Sequence, residues 1–80
     1  MFKAEWCPHC VNFLPDWKKL EENHSNEFNF IKYDSDENPE KVSEWQVKGF
    51  PSIFIKSGDS AYEYMGMNNY KDVLAFIKNI

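Results

Sequence analysis

Cys7 and Cys10 are the only cysteines of the chain, and they stand three positions apart in the stretch AEWCPHC (4–10). That spacing suits two chemistries: half of a zinc site, or a dithiol that closes to a disulfide and reopens. Structural zinc needs four ligands in tetrahedral array, and only His9 and His24 are on offer as imidazoles. His9 sits between the two cysteines and would project from a different face of a helix. The redox reading therefore leads, and no metal is expected.

A cysteine at a helix start meets unpaired backbone N–H groups and the positive end of the helix dipole, both of which favour thiolate over thiol. Cys7 is placed for this role as nucleophile. Cys10, one turn further in, reaches the Cys7 sulfur, should be more buried, and suits the resolving role. Pro8 fits the first helical position, where its missing N–H costs nothing. His9 brings a positive charge when protonated and an N–H donor when neutral. Either form stabilises a neighbouring thiolate and biases the pair toward oxidising work, by about 30 mV for each roughly 1.4 kcal/mol. The plain alternative for His9 is a solvated first-turn residue.

The elements that must position these groups read in order. MFKAEW (1–6) suits a short strand. A helix follows with Val11, Leu14, Trp17 and Leu20 at helical spacing, kinked at Pro15. EFNFIKYD (27–34) reads as a second strand. Asn38 and Pro39 open a second helix with Val42 and Trp45 on one face, ended by Gly49. FPSIFIK (50–56), the turn SGDS (57–60) and AYEYM (61–65) make a hairpin. Asn69, with Asp72 three residues on, caps a last helix carrying Tyr70, Val73, Leu74 and Ile77. A crossover helix implies a parallel strand pair and the tight turn an antiparallel one. The class is α/β, ordered β-α-β-α-β-β-α, with a four-stranded mixed sheet and three helices. Trp17 and Trp45 read as core and His24 as surface loop.

Eighty residues make one domain, 1–80. A chain so short buries only about 60% of its unfolded surface, so its core must be dense, and 18% aromatic residues supply that density. A net charge of −4, with nine lysines dispersed among thirteen acids and no arginine, excludes a basic stripe for nucleic acid. No apolar run is long enough to span a bilayer, and the first ten residues lack a secretory pattern, which leaves the cytoplasm as the expected compartment. Asp34, Asp36, Glu37, Glu40 and Glu44 read as a solvated acidic face.

Together these motifs resemble the thioredoxin superfamily over nearly the whole chain. AEWCPHC looks like its Trp-Cys-x-x-Cys segment, and Pro15 falls on its helix-kinking proline. KYDSDENP (32–39) is similar to its Asp-x-Asn-Pro stretch, VKGFPS (47–52) to its cis-proline segment, and YMGMNNYKDVLAFIKN (64–79) to its closing strand, glycine and helix. The resemblance implies a minimal thioredoxin fold with a cis bond before Pro51. It also implies that Phe50 and Pro51 hold an extended client and that Trp6 flanks the nucleophile on the same docking surface. Lys32 matches the family's neighbouring lysine and reads equally as a strand lysine reaching for water. The family's extra first strand and helix are lacking, and its buried aspartate position is Met1, so Cys10 must exchange its proton with water, Lys32 or Glu5.

The resemblance implies thiol–disulfide exchange with protein substrates by a monomer, recharged by a reductase or by glutathione, with no cofactor beyond the Cys7–Cys10 pair. Glutaredoxins share the Cys-Pro-x-Cys pattern and the size. Their glutathione site uses a Gly-Gly pair where this chain has Gly66 and Met67. A redox-inactive binding module on the same fold is the third reading, and the presence of both cysteines argues against it.

Overall fold

The helix expected after Cys7 forms as α1, Pro8–His24, with Cys7 as its N-cap and Pro8 in its first turn. Its inward stripe is Cys10, Phe13, Trp17 and Leu20. Val11, expected on that stripe, is exposed, because it lies about 100° round the helix from Cys10. Pro15 lies within α1 and leaves the Val11 carbonyl without its helical partner. Val11, Asn12 and Pro15 are all exposed, so this side of the helix faces solvent.

The computed structural model describes residues 1–80. Strand β1 (Phe2–Lys3) pairs in parallel with β2 (Tyr33–Asp34), Phe2 opposite Tyr33 and Lys3 opposite Asp34. Strands β3 (Ile53–Ser57) and β4 (Ser60–Tyr64) form an antiparallel hairpin around Gly58 and Asp59, with Gly58 at φ 60°. A four-stranded mixed sheet was expected; the structure has two two-stranded ladders joined by one bridge, Phe2 to Ser52. Phe2 N–H donates to Ser52 O at 2.8 Å and Ser52 N–H to Phe2 O at 3.1 Å. The strand expected over 27–34 is reduced to Tyr33–Asp34, because β1 offers only Phe2 and Lys3 as ladder partners.

Helix α2 (Pro39–Glu44) stops five residues before Gly49. Gln46 adopts φ 54°, Gln46 N–H bonds Ser43 O at 3.1 Å and Val47 N–H bonds Val42 O at 3.0 Å. This is a Schellman ending with glutamine in the left-handed position where glycine is usual. Asn38 precedes α2 as expected but does not cap it with its side chain, which donates instead to Asp34 O at 3.3 Å. Helix α3 (Tyr70–Lys78) has the expected cap, Asn69 Oδ1 accepting from Asp72 N–H at 2.8 Å. Asp16 on α1 accepts from Tyr70 N–H at 3.0 Å and fixes where α3 begins.

The main core is Met1, Phe13, Trp17, Leu20, Ile53 and Val73, with Leu74 and Ile77 packed against it. Period-two alternation sends the neighbouring side chains the other way: Phe2 stacks on Tyr33 and meets Trp45 and Phe54. His24 is the last residue of α1, not loop, and its ring bridges Glu27 at 2.9 Å and the Tyr70 hydroxyl at 3.0 Å. No helix is long and apolar enough to cross a membrane.

Candidate active site

Cys7 is held through both of its backbone groups. Its N–H donates to Ala4 O at 3.1 Å, closing the turn out of β1, and its carbonyl accepts from Val11 N–H at 3.1 Å as the first bond of α1. That geometry aims the side chain at the helix start. Its Sγ accepts from the Cys10 N–H at 3.2 Å, and its thiol donates to the Phe50 carbonyl at 3.5 Å. An unpaired amide of the first turn thus already points at the sulfur that would carry negative charge.

Both cysteines are free thiols; Cys7 is 4% exposed and Cys10 0%, in a small cluster with Ala4 against which Phe50 packs. Burial pushes the Cys10 thiol up to about 11, and its bond to Cys7 adds to the rise. The Ala4 backbone and the Lys3 charge pull the other way. The two sulfurs are therefore unequal: one sits at a helix N-terminus with an amide donor, the other is desolvated and reluctant to ionise.

The peptide bond between Phe50 and Pro51 is cis. The Phe50 carbonyl accepts from the Cys7 thiol, and the Phe50 ring stands edge-on to Trp6, with centroids 5.9 Å apart. Trp6 is 67% exposed, so the nucleophile lies at the foot of an aromatic wall open to solvent. On the other side a groove of ≈ 330 Å³ runs between His9, Asn12 and Phe13 of α1 and Gly66, Met67 and Asn68. Met67, which lines it, is exposed, as is Met65 before Gly66. A larger cavity of ≈ 540 Å³, between the 27–33 segment and β3, is lined by neither cysteine.

Trp6, Cys7, Cys10, Phe50 and Pro51, expected together from the sequence, are brought together. Pro8 and His9 are exposed on the first turn between the cysteines. Lys32 is exposed, and its side chain makes no hydrogen bond or ion pair. The Lys3 ammonium lies 3.2 Å from both Asp34 Oδ2 and Glu5 Oε1. Asp34, assigned from sequence to the solvated acidic face, is buried. Its Oδ1 accepts from Asp36 N–H at 2.9 Å and Glu37 N–H at 3.3 Å; the Asp36 bond first, then Lys3 and the Glu37 bond, hold its carboxyl below the usual range. Lys3 and Asp34 are register partners across the β1–β2 ladder, a pairing that local sequence does not reveal. No group of three or more His, Cys, Asp or Glu side chains is arranged to hold a metal ion.

The sequence profile of the Thioredoxin family matches residues 1–79. A Schizosaccharomyces pombe protein named as a protein disulfide-isomerase is 40% identical over 95% of this chain, and the Neurospora crassa protein disulfide-isomerase erp38 is 35% identical over 95% of it. The chain spans only 16% and 22% of those proteins. The J-Trx1 fragment of ERdj5 superposes with a TM-score of 0.88 at 22% identity, over 98% of this chain and 39% of that one. The first thioredoxin domain of mouse protein disulfide-isomerase A4 superposes with a TM-score of 0.80 at 27% identity, over 98% of this chain and 58% of that one.

Proposed function

The chain belongs to the thioredoxin family, and from that premise and the geometry of its two thiols we propose that it is a thiol–disulfide oxidoreductase acting on protein clients. The observation that carries the reading is the Cys7 sulfur, bonded by the Cys10 amide at the start of α1, with Cys10 behind it and the Phe50–Pro51 loop and Trp6 beside it. In the reducing direction the Cys7 thiolate attacks a client disulfide. One client sulfur leaves as thiolate and the other stays bonded to Cys7. Cys10 then gives up its proton and attacks Cys7, so the pair becomes a disulfide and the client takes up two electrons. The reverse sequence oxidises a client dithiol.

Deprotonating Cys7 breaks its thiol bond to the Phe50 carbonyl and frees that carbonyl for a client backbone N–H. Trp6 and Phe50 supply apolar surface beside Cys7, and Met67 supplies it in the groove that His9 lines. The names of the relatives support protein substrates. The match to the thioredoxin profile, and Met67 in place of a second glycine, favour protein over glutathione as the molecule in the groove.

The test is a trapping experiment on a peptide disulfide, read by intact mass. Cys10→Ser should accumulate a covalent adduct through Cys7, the native protein should release reduced peptide without accumulating one, and Cys7→Ser should do neither. A native protein that leaves the peptide disulfide untouched sinks the reading and leaves a binding module.

A further inference from the structure

His24, Glu27 and Tyr70 lie outside the exchange site and form a chain of hydrogen bonds that disulfide exchange does not use. Glu27 is brought back onto the end of α1 by a turn in which Glu27 N–H and Phe28 N–H both donate to His24 O at 3.0 Å. Its Oε1 lies 2.9 Å from His24 Nδ1, and His24 Nε2 lies 3.0 Å from the Tyr70 hydroxyl. The bond to His24 holds the Glu27 carboxyl below its usual range, so it is ionised at pH 7. A carboxylate only accepts; in the neutral ring Nδ1 therefore carries the hydrogen, and bare Nε2 accepts from the Tyr70 hydroxyl. Carboxylate, imidazole and hydroxyl in that order are the arrangement that activates a side-chain nucleophile. We propose that Tyr70 is a nucleophile with His24 as its general base, a site of O-acylation by a small anionic donor of the acyl phosphate class.

Two further groups of α1 face Tyr70. Asn23 Nδ2 donates to the hydroxyl at 3.5 Å, and the Lys19 ammonium lies 4.5 Å from the ring centroid. Asn23 takes one lone pair of the phenol oxygen, and the other is left for an electrophile. As the hydroxyl proton moves to His24, negative charge grows on the oxygen and its ring, where the Asn23 amide and the Lys19 ammonium meet it. Lys19 and Asn23 stand one helical turn apart, and Asp16 accepts the Tyr70 N–H at 3.0 Å, so helices and not loops hold these groups to the ring. The His24 side chain is 12% exposed, whereas Asn23 is open to solvent and gives the hydroxyl a route to it. Tyr70 lines neither cavity of the structure, which limits the donor to a small molecule, and Lys19 favours a negative one.

In the step, the Tyr70 oxygen forms a bond to the acyl carbon, and the bond from that carbon to the phosphate oxygen breaks. The phosphate leaves with the electron pair. The hydroxyl proton passes to His24 Nε2, and the imidazolium, oriented by Glu27, returns it to solvent. The product is a phenyl ester on Tyr70. Glu27 acts through His24 and is a positioning residue.

The protein carries its own control in Tyr62, which is 43% exposed, more open than half-buried Tyr70, and bonded to no imidazole. The native protein is incubated with acetyl phosphate at pH 7, and acetylation of each tyrosine is followed by peptide mass spectrometry. Hydroxylamine then removes phenyl esters and leaves lysine amides. General-base assistance is worth roughly 10²-fold in a formed site and less where the donor is not held, so Tyr70 should be acetylated about tenfold faster than Tyr62. His24→Gln keeps a polar side chain but no base, and should bring the ratio of the two rates to about one. Glu27→Gln still accepts from Nδ1–H without the charge, and should lower the ratio severalfold. Loosening of the structure would instead raise both tyrosines together. A Tyr70 no faster than Tyr62, or a ratio that survives His24→Gln, overturns the inference and leaves the cluster a tie between α1 and α3. If His24→Gln does not fold, Glu27→Gln decides: a lowered ratio supports the inference and an unchanged one overturns it. The readout uses neither Cys7 nor Cys10, so either result leaves the exchange reading intact.

Discussion

Raising the pH from 7 to 10 should destabilise the reduced protein through Cys10 alone by about 1.4 kcal/mol. Folding holds this thiol near 11, chiefly by burial, against an ordinary value of 9.0. A folded-state value raised above the unfolded one means that folding favours the neutral thiol. The stability associated with it is complete below pH 9 and is lost as the pH climbs through 11. At pH 10 the unfolded chain has largely released the proton and the folded chain has largely kept it. The resulting free-energy difference is one pK unit, about 1.4 kcal/mol, rising to about 2.7 kcal/mol well above pH 11. Urea denaturation followed by tryptophan fluorescence, under a phosphine reductant at both pH values, measures it in the native protein and in Cys10→Ala. Tyrosine and lysine titration is common to the two proteins and cancels, and the small void left by alanine is a constant offset. A gap between the two proteins that changes by less than about 0.3 kcal/mol from pH 7 to 10 would refute the desolvated state of Cys10 and with it the division of labour between the thiols.

Leu20→Ala, at a fully buried core position, should cost 2–5 kcal/mol, on the order of what Leu→Ala cavities cost elsewhere, and lower the urea midpoint accordingly. Gly66→Ala would put a Cβ 2.5 Å from the Tyr64 hydroxyl, which donates to the Met67 carbonyl. The ring packs on Phe76 with centroids 5.2 Å apart, so it swings only by losing that contact. Denaturation should show a loss of about 1–2 kcal/mol, and client trapping by the Cys10→Ser variant should slow because the loop lines the groove beside His9. A stability within about 0.3 kcal/mol of the native protein would show that Tyr64 does not order this loop.

The short-range part of this protein is written in its sequence. Cys7 as N-cap, Pro8 in the first turn, the Asn69–Asp72 cap and the two-residue hairpin at Gly58 all depend on neighbours within four positions, and each forms as those neighbours dictate. The cysteine spacing similarly fixed which sulfur meets the helix amides. Where a partner lay far along the chain, local pattern misled: the strand over 27–34 shrank to Tyr33–Asp34. The end of α2 was missed for a local reason, because Gln46 takes the left-handed position for which glycine is the usual signal.

Tertiary structure alone decided the electrostatics of the site. Cys10 is desolvated because Ala4 and Phe50 close over it, and neither is adjacent to it in sequence. Asp34 left the solvated acidic face because parallel register sets it opposite Lys3, thirty-one positions away. Capping energies come from groups a turn apart and are readable from the residues. Burial and Coulomb energies depend on which distant atoms exclude water or bring charge, and only the assembled fold brings Phe50 to the two sulfurs and Lys3 to Asp34.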